Sequence, residues 1–184
     1  QMCIRDRGTA MTSFTAQNLG AGRYDRIKKG TLQSMIVMGG IVLCGVGLGM
    51  LLTVNDLYFH VFLSADKVTA ETVRFGNALL YVDFAMYPFL GGVFLIRNCV
   101  QGIGRPSFVL GAGAAELVAR IAVCLLLPAA VAGGMVSASA PPLAFYALCA
   151  ADPMAWIAAD TVLCVPLIRN IMRMDYRYLR SGQI

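Results

Sequence analysis

The chain has 184 residues, of which 58% are hydrophobic and only 14% charged, with 15 Lys and Arg against 10 Asp and Glu. Soluble domains carry roughly 45–50% apolar and about 25% charged residues, so a mean hydropathy of +0.70 excludes an ordinary water-soluble globule. The surplus bases do not gather on one polar segment as an electrostatic footprint for nucleic acid requires, which argues against a nucleic-acid partner.

Residues 1–8, QMCIRDRG, are charged and begin with Gln; they read as a truncated or non-native head outside the fold, and no signal peptide is recognisable. Residues 9–22 read as the end of a membrane helix that closes on a turn, where Gly20 and Gly22 allow a tight reversal. Gln17 and Asn18, just before that turn, are placed to hydrogen-bond across helices. From Gly30 to Asn55 there is no charged side chain, and a helix of roughly twenty apolar residues already crosses a bilayer. His60, the lone histidine, follows beside Tyr58 and Phe59 and reads as interfacial.

Three further spans are expected, at Gly76–Asn98 with Asp83 inside, Pro106–Leu127 with Glu116 and Arg120, and Pro153–Met172 with Asp160 and Arg169. Pro88 predicts a kink in the second of these. Before the last span, Pro141 and Pro142 lead into an apolar stretch, Leu143 to Ala151, too short to cross and expected to be interfacial or partly re-entrant. Trp156 and Tyr146 suit interfacial anchoring. The pairs Gly45/Gly49 and Gly111/Ala115 have the small-xxx-small spacing of closely packed membrane helices. Six cysteines without a CxxC pair fit neither a zinc site nor a disulfide framework.

Lys and Arg collect on cytoplasmic flanks. Arg23, Arg26, Lys28, Lys29, Arg97, Arg105, Arg169, Arg173, Arg177 and Arg180 fall on one side, and only Lys67 and Arg74 on the other. Both ends are thus expected at the cytoplasmic face, with residues 23–174 forming a four-span lobe and 175–184 a basic tail suited to anionic membrane lipids. The fold class is an all-α polytopic bundle: four complete transmembrane helices plus the end of a fifth.

Charges within the spans are the candidate chemistry, because each costs roughly 2.5–3.5 kcal/mol at mid-membrane when unpaired. Glu116 and Arg120 are four apart and share a helix face, so they can pair, as a structural bridge or a gate. Counted from the helix ends, Asp83, Asp160 and Arg120 lie about 9–10 Å below the outer edge and are expected to meet in a protonatable cluster. Tyr81, Phe84, Tyr87 and Phe94 are candidates to line a cavity for flat organic cations, which are attracted to ring faces.

Four segments, AQNLGAGRYDRIKKG (16–30), RNCVQGIGRP (97–106), ELVAR (116–120) and ADPMAW (151–156), in this order and spacing resemble the multidrug and toxic compound extrusion (MATE) transporters. The resemblance extends from about Phe14 to Ile171. It implies the second lobe of a twelve-helix, two-lobe transporter, from the end of helix eight to helix twelve, with the N-terminal lobe missing and transport by the fragment alone not expected. It gives structural roles to the motif residues Gln17, Asn18, Gly20, Gly22, Gln101, Gly102, Gly104, Pro153 and Trp156. It further implies an integral plasma-membrane antiporter, not an enzyme, exporting amphipathic or cationic small molecules against H⁺ or Na⁺, with no cofactor and no bound metal beyond the coupling ion. One branch of the family places a sodium-binding acid where this chain has Leu90; Asp83 is about two turns away, so that site does not transfer. A lipid-linked oligosaccharide flippase of the same superfamily is the alternative, expected to show a more cationic cavity. An intramembrane enzyme fits less well, since no nucleophile and base stand at workable spacing, and a non-transporting subunit is the last option.

Overall fold

Lipid offers a backbone amide no hydrogen-bond partner, so a chain this apolar satisfies its amides within helices. The structure is a computed structural model that describes residues 2–54, 57–64, 68–133 and 142–169. Every regular element among them is a helix: α1 (Met2–Gly20), α2 (Tyr24–Val54), α3 (Leu57–Phe62), α4 (Ala70–Gly102), α5 (Pro106–Ala132), α6 (Pro142–Leu148) and α7 (Ala151–Leu167). Four helical stretches are long and apolar enough to cross a membrane: α2, α4, α5 and the α6–α7 unit, Pro142–Leu167. The chain is an all-α, polytopic integral membrane protein.

Two reversals at one end of the bundle use the same local chemistry. In the first, Gly22 takes φ 67°, its N–H donates to the Leu19 carbonyl at 3.0 Å, and Arg23 N–H donates to the Asn18 carbonyl at 2.8 Å. In the second, Gly104 takes φ 74°, its N–H donates to Gln101 at 3.0 Å, and Arg105 N–H donates to Val100 at 3.3 Å. Both are the Schellman closure, in which a left-handed glycine lets the last helical carbonyls be satisfied locally. Each closure is followed at once by an arginine, and this end also carries Arg26, Lys28 and Lys29; it is called the basic end below. There the Arg23 guanidinium, hydrogen-bonded to Asp25, holds that exposed carboxyl below its ordinary value.

α4 is the centre of the bundle, packing against α1, α2 and α7, while α5 packs chiefly on α7 and α6. The shared core joins Val93, Leu95, Ile96, Cys99 and Val100 of α4 to Trp156, Ala159, Leu163 and Leu167 of α7, Ala112 of α5, Ile27 of α2 and Met11 of α1. The opposite faces of α2 (Leu32, Ile36, Leu43, Leu48, Leu51) and α5 (Leu110, Leu117, Val118, Leu125, Leu126) are exposed leucine-rich stripes, the surface a span presents to lipid. Helices approach closely where a side chain is absent. At Gly102 a Cβ falls 2.6 Å from the Thr12 carbonyl oxygen of α1, and Gly49 lies against the Phe84 ring. Thr12 also donates to the Asn98 side-chain oxygen at 3.0 Å, a direct α1–α4 bond.

Several expectations need correction. Residues 2–8 are the first turns of α1, continuous with Thr9 onward, and Gly8 lies against Asn98 of α4. The apolar stretch from Leu143 is no separate interfacial piece: Cys149 N–H bonds Phe145, Ala150 bonds Ala147 and Met154 bonds Ala150, carrying α6 into α7 through one turn. The fourth span therefore starts near Pro142, about eleven residues before Pro153. Of the pair Gly45/Gly49 only Gly49 receives a neighbour, whereas Gly45 faces open space; Gly111 does meet α7, with a Cβ position 3.8 Å from Val162. The basic tail lies outside the described residues beyond Arg169.

Gly102→Ala is expected to destabilise the bundle by about 1–3 kcal/mol, because the new methyl meets backbone of α1 rather than a yielding side chain. Gly45→Ala, with open space around it, is expected to stay within about 0.5 kcal/mol of wild type. Thermal unfolding in detergent checks both. Thr12→Val in the same assay is expected to cost about 0.6 kcal/mol, the average for interhelical hydrogen bonds in membranes, and no more than about 1.7 kcal/mol.

Candidate functional site

The charged groups between α4, α5 and α7 form a ladder. Arg97 Nη2 donates to Glu116 Oε2 at 2.9 Å. The other Glu116 oxygen, Oε1, lies 3.5 Å from Arg120 Nη2, one turn further along α5, and the same Nη2 stands 2.8 Å from Asp152 Oδ1 at the start of α7. The Arg97 and Glu116 side chains are about three-quarters buried, at 27% and 23% exposure. The ladder thus places two arginines against two acids and ties three helices together.

Asp83 and Asp160 stand outside it. Each has a buried Oδ1 with no hydrogen-bond partner among the described residues, and so do Arg97 Nε and Arg120 Nε. α7 runs parallel to α4, with the Trp156 ring 6.1 Å from Tyr87 and Asp160 Oδ2 3.1 Å from a Cβ position at Gly92. In that register Asp83 sits at the level of Asp152, its charged neighbour, and Asp160 at the level of Gly92. Nine residues of helix, or about 13 Å, separate the two levels.

This corrects the expected cluster. Asp83, Asp160 and Arg120 do not meet: Arg120 is held by Glu116 and Asp152, and Asp160 lies about 10 Å from the α7 end at Leu167, near the basic end. The depth count failed because it began at Pro153. The expected Glu116–Arg120 contact is present but is the longest rung. Arg97 and Asp152 were missed as members. The flank count treats Arg97 as a loop base, whereas five helical residues follow it before α4 ends at Gly102, and a span beginning at Pro153 leaves out Asp152, which is in the first turn of α7.

The aromatic candidates also separate. Phe84 is buried and stacks edge-on with Tyr87 at 5.5 Å, Tyr87 packs on Trp156, Tyr81 lies on an exposed face, and Phe94 is only half-buried. Trp156 is 7% exposed and belongs to the core rather than to an interfacial belt, whereas Tyr146 accepts from Arg74 Nε at 3.1 Å far from the basic end. His60 is exposed on α3, and Leu90 is packed against the core. A cavity of about 250 Å³ does lie between α2 and α4, but Met35, Met38, Gly39, Val42, Pro88, Gly91, Gly92 and Leu95 line it.

Among the motif residues, Asn18 donates to the Phe14 carbonyl of its own helix at 2.8 Å and Gln17 is exposed, so neither side chain bridges helices as expected. Thr12 and Asn98 make that bridge instead. Gly20 ends α1; Gly22 and Gly104 make the two left-handed closures; Gln101 accepts from Gly104; Gly102 lies against α1; and Pro153 is buried in the first turn of α7, where its missing N–H goes unused. No three His, Cys, Asp or Glu side chains among the described residues converge as a polyvalent metal requires. The arrangement offers two separate carboxylates, each able to take one proton or one small monovalent cation, beside a neutral ladder.

The comparisons agree with the motifs. The MatE family model matches residues 7–126, a stretch containing the α1–α2 turn, all of α4, its turn into α5 and the Glu116–Arg120 rung. No curated protein and no solved structure matches the chain. With about two-thirds of its length inside that match, which includes Arg97, Glu116 and Arg120 of the ladder, the chain belongs to the MatE family of membrane transporters.

Proposed function

We propose that the chain is the second lobe of a secondary active antiporter that exports drugs or organic cations in exchange for H⁺ or Na⁺. The observation that carries the reading is the pair of bundle carboxylates, Asp83 and Asp160, whose buried oxygens have no partner among the described residues. A carboxylate inside a membrane bundle is costly while ionised and alone, so it favours a proton or cation as companion. Exchange follows when the transported cation and the coupling ion compete for the same negative charge: one enters as the other leaves. Membership of a transporter family supports the same reading and argues against an intramembrane enzyme.

A lipid-linked oligosaccharide flippase is less well supported. Anionic cargo needs unpaired positive charge, and both ladder arginines are engaged by carboxylates at 2.8–3.5 Å. The basic end, bearing Arg23, Arg26, Lys28, Lys29 and Arg105, belongs at the cytoplasmic face by the positive-inside rule, in the plasma membrane if the chain is the exporter proposed.

In the full-length transporter reconstituted in vesicles, Asp83→Asn and Asp160→Asn are each expected to lower gradient-driven export of a fluorescent organic cation at least tenfold. Binding of that cation without a gradient is expected to change less. Undiminished export with an unchanged pH profile in both variants excludes the reading.

A further inference from the structure

Both oxygens of Glu116 are committed to arginines, Oε2 to Arg97 and Oε1 to Arg120. Arg97 nevertheless keeps a donor in reserve, because its Nε is buried with no partner, and Asp160 keeps an acceptor in reserve, because its Oδ1 is buried with none. The two belong to one neighbourhood. The Asp160 carboxylate rests on α4 at Gly92, and Arg97 leaves the same helix five residues later, about 7.5 Å along its axis. The elements packed on α7 are α4 and α5, and α6 leads into its start through one turn. On α4 the charged group next along the helix from Gly92 is Arg97; on α5 the acid is Glu116, which holds that arginine; on α7 itself the titratable residues are Cys164 one turn on and Asp152 two turns back.

An arginine is permanently charged, so its position decides what a neighbouring carboxylate can bind. Seated on Glu116, Arg97 completes the ladder and leaves Asp160 free for another cation. Swung onto Asp160, it satisfies that carboxylate itself and competes with any proton or sodium. We infer that Glu116 is a positioning residue for ion coupling: it retains Arg97 on α5 and thereby keeps Asp160 open to the coupling cation. This rests on the antiporter reading above and adds to it the residue that sets the affinity of one station.

The test measures, in the full-length transporter in vesicles, the pH or sodium concentration giving half-maximal export of a fluorescent organic cation. Glu116→Gln is expected to require about tenfold more coupling cation, either one pH unit more acidic or ten times the sodium, because the released arginine then neutralises Asp160. Arg97→Gln is expected to shift the midpoint the opposite way, and Arg97→Gln/Glu116→Gln to match Arg97→Gln. The inference is overturned if Glu116→Gln leaves the midpoint in place, or if its shift persists undiminished in the Arg97→Gln background, since Glu116 then acts through its own charge. Should Glu116→Gln fail to reach the membrane, Arg97→Gln decides alone, and an unmoved midpoint refutes the proposal. Asp160→Asn separates the two levels of argument. If it abolishes coupling while Glu116→Gln does nothing, only the positioning role falls; if it leaves coupling intact, Asp160 is no station and the positioning role falls, and the antiporter reading falls with it only if Asp83→Asn is also without effect.

Discussion

A guanidinium surrounded by lipid-facing helices has no route to neutrality except a carboxylate within reach. Arg97 and Arg120 cannot lose their charge, and either alone at mid-membrane costs roughly 2.5–3.5 kcal/mol on insertion scales. Glu116 answers both by giving one oxygen to each, and Asp152 supplies the second partner to Arg120. That requirement determines how α4, α5 and α7 are rotated about their own axes. With Arg97 turned toward α5, Gly91 of α4 faces Met38 and Val42 of α2, and Gly92 faces Asp160 of α7.

The remaining packing is arranged around that rotation. Membrane helices gain little from excluding lipid, so association depends on close approach and on a few interhelical hydrogen bonds. α1 joins α4 through Thr12, Asn98 and the bare backbone at Gly102, while Thr31 of α2 reaches the Cys99 sulfur at 3.7 Å. These small polar contacts lie near the basic end, beside the two glycine closures. The charge ladder holds the other side of α4, toward α5 and α7. The bundle is thus joined by weak neutral bonds on one flank of α4 and ionic ones on the other.

What could be read without coordinates follows the range of each interaction. Helix class, the four spans and the turns at Gly22 and Gly104 are local: apolar length and a single left-handed residue decide them, and both stand in the chain order. The Glu116–Arg120 contact is local too, being four residues within one helix. The other two rungs are not. Arg97 reaches Glu116 across nineteen residues and a turn, and the positive-inside rule, applied by counting, assigns such an arginine to a loop whenever the helix end is placed too early. Asp152 was lost by the same displacement of an end, because Pro153 looks like a helix start while the helical hydrogen bonds continue back to Phe145. Trp156 shows a different limit. Its amphipathic ring suits an interface, but α7 turns it onto Tyr87, and that neighbour depends on the register of two helices rather than on composition.

The separation of Asp83 from Asp160 changes what the lobe can do with them. At about 13 Å two unit charges in a medium of effective dielectric near 20 interact by about 1.3 kcal/mol, against about 4 kcal/mol at 4 Å. A dyad at the shorter distance shares one proton, because the second ionisation is opposed too strongly. Carboxylates at the longer distance can both ionise and be filled separately, with only a modest penalty for the second. The ladder runs between them, from Arg97 near the level of Asp160 to Asp152 at the level of Asp83, and its arginines screen each acid from the other. Two nearly independent carboxylates at different depths, rather than one close pair, are what this helix register builds.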